Sequence, residues 1–68
     1  MINCLTKLNS QTILIGFYDN FIKLFGVSSC EYLKTFEGHT NCVDTIVKLN
    51  SNQFVSGSKD RSIIIWNL

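Results

Sequence analysis

Proline is absent from this chain, and with it the residue that most often presets a turn through its locked φ. Every change of direction therefore falls to Asn, Asp, Ser or Gly, which turn a backbone through short side-chain hydrogen bonds or tolerance of positive φ. Charge is scarce too: 16% of residues are charged, against roughly 25% in an average domain. The net charge is +1, from six basic and five acidic residues scattered along the chain. No basic stripe or block exists, so neither nucleic acid nor a membrane is expected as a partner. No apolar run approaches the length of a membrane span. The three cysteines, Cys4, Cys30 and Cys42, are odd in number and far apart, with no C-x-x-C pair and no disulfide framework. No Asn-x-Ser/Thr sequon occurs, and no basic head with an apolar run follows Met1, so no secretory leader is expected. Free thiols in a reducing compartment fit best: an intracellular, cytoplasmic setting, with the nucleus left open.

What the chain does have is apolar surface. Hydrophobic residues make up 46% of only 68, and a domain this small buries about 60% of its unfolded surface. The chain therefore carries more apolar surface than it can cover alone. Helical periodicity is missing. Instead the chain matches itself at a shift of 41 residues, 2–27 aligning with 43–68 without a gap. Lys7, Leu8, Asn9 and Ser10 fall on Lys48, Leu49, Asn50 and Ser51, and Gly16, Asp19 and Ile22 fall on Gly57, Asp60 and Ile63. Each copy reads as short β-prone runs between polar turns. In the first copy these are 2–8, 12–17, 21–27 and 30–36; in the second, 43–49, 54–58 and 62–68. Antiparallel hairpins are the expected connections. The runs 12–15 and 63–66 are almost continuously apolar, which predicts strands covered on both faces.

The second copy opens with Gly38-His39 and closes with Trp66-Asn67, and Ser56 and Asp60 lie between them. A repeat in the low forties with a leading Gly-His and a closing Trp resembles the WD-repeat family of β-propellers, whose blades are four-stranded antiparallel sheets. Asn67 stands where the family most often has Asp. The resemblance covers nearly the whole chain. It implies an all-β fold of about one and three-quarter blades. Residues 1–37 would be a first blade of four strands without its leading Gly-His, and 38–68 a second repeat of three strands without its outer one. It also implies a buried hydrogen-bond relay of His39, Ser56, Asp60 and Trp66. The chemistry agrees, since a buried carboxylate needs a donor, an imidazole needs both nitrogens satisfied and an indole N–H is donor-only. In the first copy Ile15 replaces Ser56 and Phe25 replaces Trp66. That exchanges a polar relay for hydrophobic packing without leaving an indole N–H unpaired.

The function this implies is non-catalytic: a protein-interaction scaffold, part of a larger propeller, such as an adaptor of a ubiquitin-ligase or signalling complex. By the same resemblance, partners, proteins or peptides, would meet the face near the central channel, at Cys42, Asp44 and Lys59, with Met1, Asn3 and Tyr18 in the first copy. An alternative is a short module that closes a ring with copies of itself. A remote third reading takes His39 and Ser56 as serine-hydrolase machinery. No G-x-S-x-G elbow surrounds Ser56, however, and Trp66 gives that hydroxyl another task. His39 and Cys42 offer two metal ligands where structural zinc takes four, so neither metal nor cofactor is expected. The Lys59-Asp60-Arg61 turn is read as a solvated hairpin rather than an anion site, and the aromatic residues as core rather than a stacking surface for bases.

Overall fold

The structure, a computed structural model, describes residues 1–68. It is all strand and turn. The strands are β1 (Ile2–Lys7), β2 (Thr12–Phe17), β3 (Ile22–Gly26), β4 (Glu31–Phe36), β5 (Val43–Asn50), β6 (Gln53–Ser58) and β7 (Ile63–Asn67). They form two antiparallel meanders, β1-β2-β3-β4 and β5-β6-β7. Each expected strand is present. The boundaries differ by a residue or so, β3 beginning at Ile22 and β5 running on to Asn50.

The turns carry the repeat into the backbone. Asn9 Oδ1 accepts the Gln11 and Thr12 N–H groups at 2.8 and 3.0 Å, and Asn50 Oδ1 accepts the Asn52 N–H at 2.8 Å. These are Asx turns, in which the side chain supplies the acceptor that a tight turn lacks. Across the β2–β3 and β6–β7 hairpins, Asn20 (φ 81°) and Arg61 (φ 66°) occupy the same repeat position in the left-handed region. The Val27 N–H donates to Gln11 O at 2.9 Å, and the Leu68 N–H to Asn52 O at 2.8 Å, again one repeat apart.

Strand alternation then sorts the side chains. In the first sheet the rows Cys4–Gly16–Ile22 and Thr6–Leu14–Leu24 lie on the face toward the second sheet, while Leu5–Ile15–Lys23 and Lys7–Ile13–Phe25 lie on the other. In the second sheet the inner rows are Ile46–Ser56–Ile64 and Lys48–Phe54–Trp66. The core forms between the inner faces from Leu8, Leu14, Ile22, Phe36, Val43, Ile46 and Phe54, with Cys4, Leu24 and Trp66 packed against it. Phe36, the last residue of β4, reaches across the junction. Its ring meets Phe54 edge-on at 5.0 Å and Trp66 at 5.6 Å.

Two further features let the sheets approach. A Cβ on Gly16 would lie 2.6 Å from Cys4 Sγ and 2.9 Å from Val43 Cγ1, so only glycine fits there. Irregular register at Ile2/Cys4 and at Val43/Thr45 leaves Asn3 and Asp44 as bulge residues of β1 and β5, a device that re-aims a side chain. Asn3 Nδ2 donates across the junction to Val43 O at 2.7 Å and to Asp44 Oδ1 at 3.4 Å.

One expectation is corrected. The apolar run in β7 is covered on one face only: Ile63 and Ile65 are 76% and 60% exposed. The strand alternates, and its outer face has no sheet upon it. In β2 the equivalent run is well covered, because the second sheet lies on Leu14 while Leu5 and Lys23 flank Ile15.

Candidate functional site

The chain segment between the two sheets, residues 37–42, delivers His39 to the rim of the second sheet. Gly38 makes the approach possible, since a Cβ there would lie 2.8 Å from Trp66 Cη2. The imidazole is buried, and both its nitrogens are engaged. Nδ1 lies 3.0 Å from Asp60 Oδ2 and Nε2 lies 2.6 Å from Ser56 Oγ. Trp66 Nε1–H donates to the same Ser56 Oγ at 2.7 Å. One proton assignment satisfies every atom: the indole N–H donates to Ser56, the Ser56 O–H to His39 Nε2, and His39 Nδ1–H to the carboxylate. The four residues are thus joined in one line from β7 through β6 and the linker to the β6–β7 turn.

Asp60 ends that line with both oxygens occupied. Oδ2 accepts His39 Nδ1–H at 3.0 Å and the Thr40 N–H at 2.9 Å. Oδ1 accepts the Ser62 N–H at 2.8 Å and the Ser62 hydroxyl. The Ser62 hydroxyl and the Thr40 amide, with His39 and the Ser62 amide behind them, hold the Asp60 carboxyl well below the usual carboxylate range. Ser62 is the member sequence reasoning missed. Its signal was a Ser two residues after a turn Asp, the spacing at which one carboxylate caps both the amide and the hydroxyl. Ser58 completes the turn: its hydroxyl donates to Cys42 O at 2.9 Å and accepts the Asp60 N–H at 3.1 Å.

The residues expected at a partner face separate into two groups. Tyr18 and Lys59 are exposed at equivalent positions of the two hairpins, where their amides donate to Met1 O at 3.0 Å and Cys42 O at 3.2 Å. Asn3 and Asp44 are occupied with each other at the bulges, although Asp44 remains exposed. Cys42 does not open onto that face. It is 5% exposed, with its carbonyl capped by Ser58 and Lys59 and its thiol turned toward Asp44. Nor can His39 join Cys42 as a metal ligand while Asp60 and Ser56 hold its two nitrogens.

The family model for the WD domain, G-beta repeat, matches residues 30–67, which contain the whole relay. The chain belongs to the WD-repeat family. It is 38% identical over 60 residues to the WD repeat-containing protein 55 homolog of Dictyostelium discoideum, an overlap of 88% of this chain and 15% of that protein. It is 30% identical over 57 residues to the ribosome biogenesis protein YTM1 of Eremothecium gossypii, covering 84% of this chain and 13% of that one. This WD-repeat chain thus spans a small fraction of these relatives' lengths. Among solved structures, the computationally designed Ika4 protein superimposes with a TM-score of 0.84 at 25% identity, over 98% of this chain and 41% of its own. The RRP9 WD40 repeats superimpose with a TM-score of 0.77 at 30% identity, over 85% and 18%. The two sheets are blades of a WD-repeat propeller, the first with four strands and the second with three.

Proposed function

We propose that this chain is part of a non-catalytic, intracellular scaffold that binds proteins or peptides, with 1–37 as one blade and 38–68 as most of the next. The relay braces the second blade from within. What carries this reading is the closure of the relay around Ser56, whose side chain is 0% exposed and receives the Trp66 indole N–H. A nucleophile needs a free approach to substrate. Ser56 has none, being buried with its oxygen already held by the Trp66 indole N–H, so the hydrolase reading loses its support. Partners would meet the hairpin end of the blades, at Tyr18, Asp44 and Lys59, with Asn3 at the base of that surface. Family resemblance suggests an adaptor of a ubiquitin-ligase or signalling complex, while the name of the YTM1 relative suggests ribosome assembly. Closure of a ring with identical copies is a further arrangement, favoured by the bare outer face of β5–β7.

A two-part measurement tests the reading. The His39→Ala variant is expected to unfold at lower urea while the wild-type protein resists labelling by a serine-reactive fluorophosphonate. Labelling at Ser56, or a His39→Ala variant of unchanged stability that has lost a hydrolytic turnover, would overturn it.

A further inference from the structure

One tetrapeptide occurs twice in this chain. Lys7-Leu8-Asn9-Ser10 and Lys48-Leu49-Asn50-Ser51 are identical, and each lies where the first strand of its sheet gives way to a turn. Asparagine is among the thermolabile residues, and a following serine is small enough to leave its backbone nitrogen open to the side-chain amide. By sequence, Asn9 and Asn50 are equivalent. In the structure they are not. Both are exposed, and each Oδ1 accepts the N–H two residues on, from Gln11 and from Asn52, both at 2.8 Å. That bond closes a ring through Cγ and the serine nitrogen, which folds the carboxamide over the peptide bond beside it. Asn9 Oδ1 takes a second N–H, from Thr12 at 3.0 Å, while its Nδ2 makes no hydrogen bond within the chain. At Asn50 the nitrogen is the engaged atom. Its Nδ2 donates to Gln53 Oε1 at 2.9 Å, and Gln53 Nε2 donates in turn to Asn67 Oδ1 at 3.0 Å, so a line of amides crosses β5, β6 and β7. Asn50 is also the last residue of β5, paired with Gln53, whereas Asn9 lies beyond the end of β1.

We propose that Asn9 is a site of spontaneous deamidation and that Asn50 is protected from it. The Ser10 backbone nitrogen attacks Asn9 Cγ. A nitrogen–carbon bond forms, the Cγ–Nδ2 bond breaks, and the Ser10 amide proton leaves with the ammonia. Water then opens the cyclic imide at either carbonyl, giving aspartate or isoaspartate. The two N–H groups on Asn9 Oδ1 polarise the carbonyl under attack and hold the charge that gathers on its oxygen, as in an oxyanion hole. The ring through Gln11 supplies the proximity. The departing nitrogen is tied to nothing. At Asn50 the carbonyl has one such donor in place of two, and the bond to Gln53 fixes the plane of an amide that must twist to leave. The two products differ in consequence. Aspartate keeps the acceptor and gains charge, which strengthens its hold on both N–H groups. Isoaspartate routes the main chain through the side chain. That adds a carbon to the hairpin closed by the Leu8 and Asn9 N–H groups on Thr12 O, at 3.1 and 3.2 Å, beside the buried Leu8 side chain.

Peptide mass mapping of the folded 68-residue chain, held at mildly alkaline pH, tests this directly. Asn9 is expected to convert about tenfold faster than Asn50, the size of effect that one or two hydrogen bonds make in a rate. Its products are expected to include isoaspartate, the mark of imide opening. In strong urea the two identical tetrapeptides are expected to convert at like rates. Gln53→Ala releases Asn50 Nδ2, and is expected to speed conversion at Asn50 while leaving Asn9 unchanged. Folded Asn9 that converts no faster than Asn50 would overturn the proposal. So would a preference for Asn9 that persisted in urea, since Gln11 in place of Asn52 would then account for it. Aspartate without isoaspartate at position 9 would remove the attack by Ser10, and an Asn50 indifferent to Gln53→Ala would remove the protection.

Discussion

The two sheets share one backbone plan and hold it by opposite means. Their turns coincide to the residue: Asn9 with Asn50, Asp19 with Asp60, Asn20 with Arg61. In the second sheet a line of hydrogen bonds fastens β6, β7 and the incoming linker. In the first sheet Ile15 and Phe25 fill the places of Ser56 and Trp66 by packing, with Tyr32 edge-on against Phe25. A packed brace is forgiving, because losing one member costs that member's burial. A buried polar brace is demanding, because losing one member leaves its neighbours unsatisfied in a poorly solvated place. In the first sheet the places of the serine and the indole are apolar, so packing there leaves no hydroxyl or N–H that needs a histidine.

The largest contrast should come from the aromatics that cover each brace. Phe36 is buried between the sheets against Phe54 and Trp66, whereas Tyr32, over Phe25, is half exposed. Phe36→Ala should cost about 3–5 kcal/mol, as for a large buried aromatic. Tyr32→Ala should cost well under half of that. Urea unfolding of the two variants measures the difference, and equal losses would show that the sheets are braced alike.

Next in size is the relay itself. His39→Ala leaves the Ser56 O–H without its acceptor and takes from Asp60 Oδ2 one of its two donors, the Thr40 N–H remaining, at about 1–3 kcal/mol. Once His39 is gone, Ser56→Ala should cost less than it does alone, a coupling of about 0.5–3 kcal/mol. Ile15→Val, at the matching position of the first sheet, should show no coupling to His39→Ala. A double-mutant cycle on unfolding free energies would reveal independence at Ser56 if the hydrogen bonds carried no energy.

Much of this was legible in the residues. Polar turns at a fixed interval marked the hairpins, and the identity of His39, Ser56, Asp60 and Trp66 stated what each atom needed. What was not legible was occupancy. The run Ile63–Ile64–Ile65 says that a strand can be covered on both faces, but not that anything is there, and the structure leaves Ile63 and Ile65 bare. Cys42 sits between the exposed Asn41 and the buried Val43 at a strand start, and its burial goes with the Ser58 hydroxyl and the Lys59 N–H folding back on its carbonyl. Ser62 escaped notice because a serine in a turn is commonplace until the carboxylate it caps is known to be tied to an imidazole.

Acid should separate the sheets through Asp60. Its carboxyl is held below its unfolded value, near 3.9, by the Ser62 hydroxyl and Thr40 amide first, and by His39. A depressed carboxylate contributes stability that is complete above the unfolded pKa and is lost as pH falls toward the folded one. The gap in urea midpoint between wild type and Asp60→Asn should therefore be widest above about pH 5 and narrow steadily below about pH 4. A gap that stayed constant to pH 3 would mean that the charge of Asp60 contributes nothing to the fold.

The smallest effect should lie in the turns, where the two sheets are most alike. Asn20 and Arg61 share a left-handed backbone, with φ of 81° and 66°. Asn tolerates that region because its short polar side chain can bond to the local backbone, while Arg has no such compensation and meets its own carbonyl. Arg61→Asn should therefore raise stability, and Asn20→Arg lower it, each by a few tenths to about 1 kcal/mol. The two changes involve turns of the same geometry in sheets braced differently. Opposite shifts of similar size would assign the effect to the backbone alone. If Arg61→Asn instead lowered stability, the Arg61 side chain would have to make a favourable interaction in the second sheet that outweighs the strain of its φ, and the likeness of the two hairpins would end at their backbones.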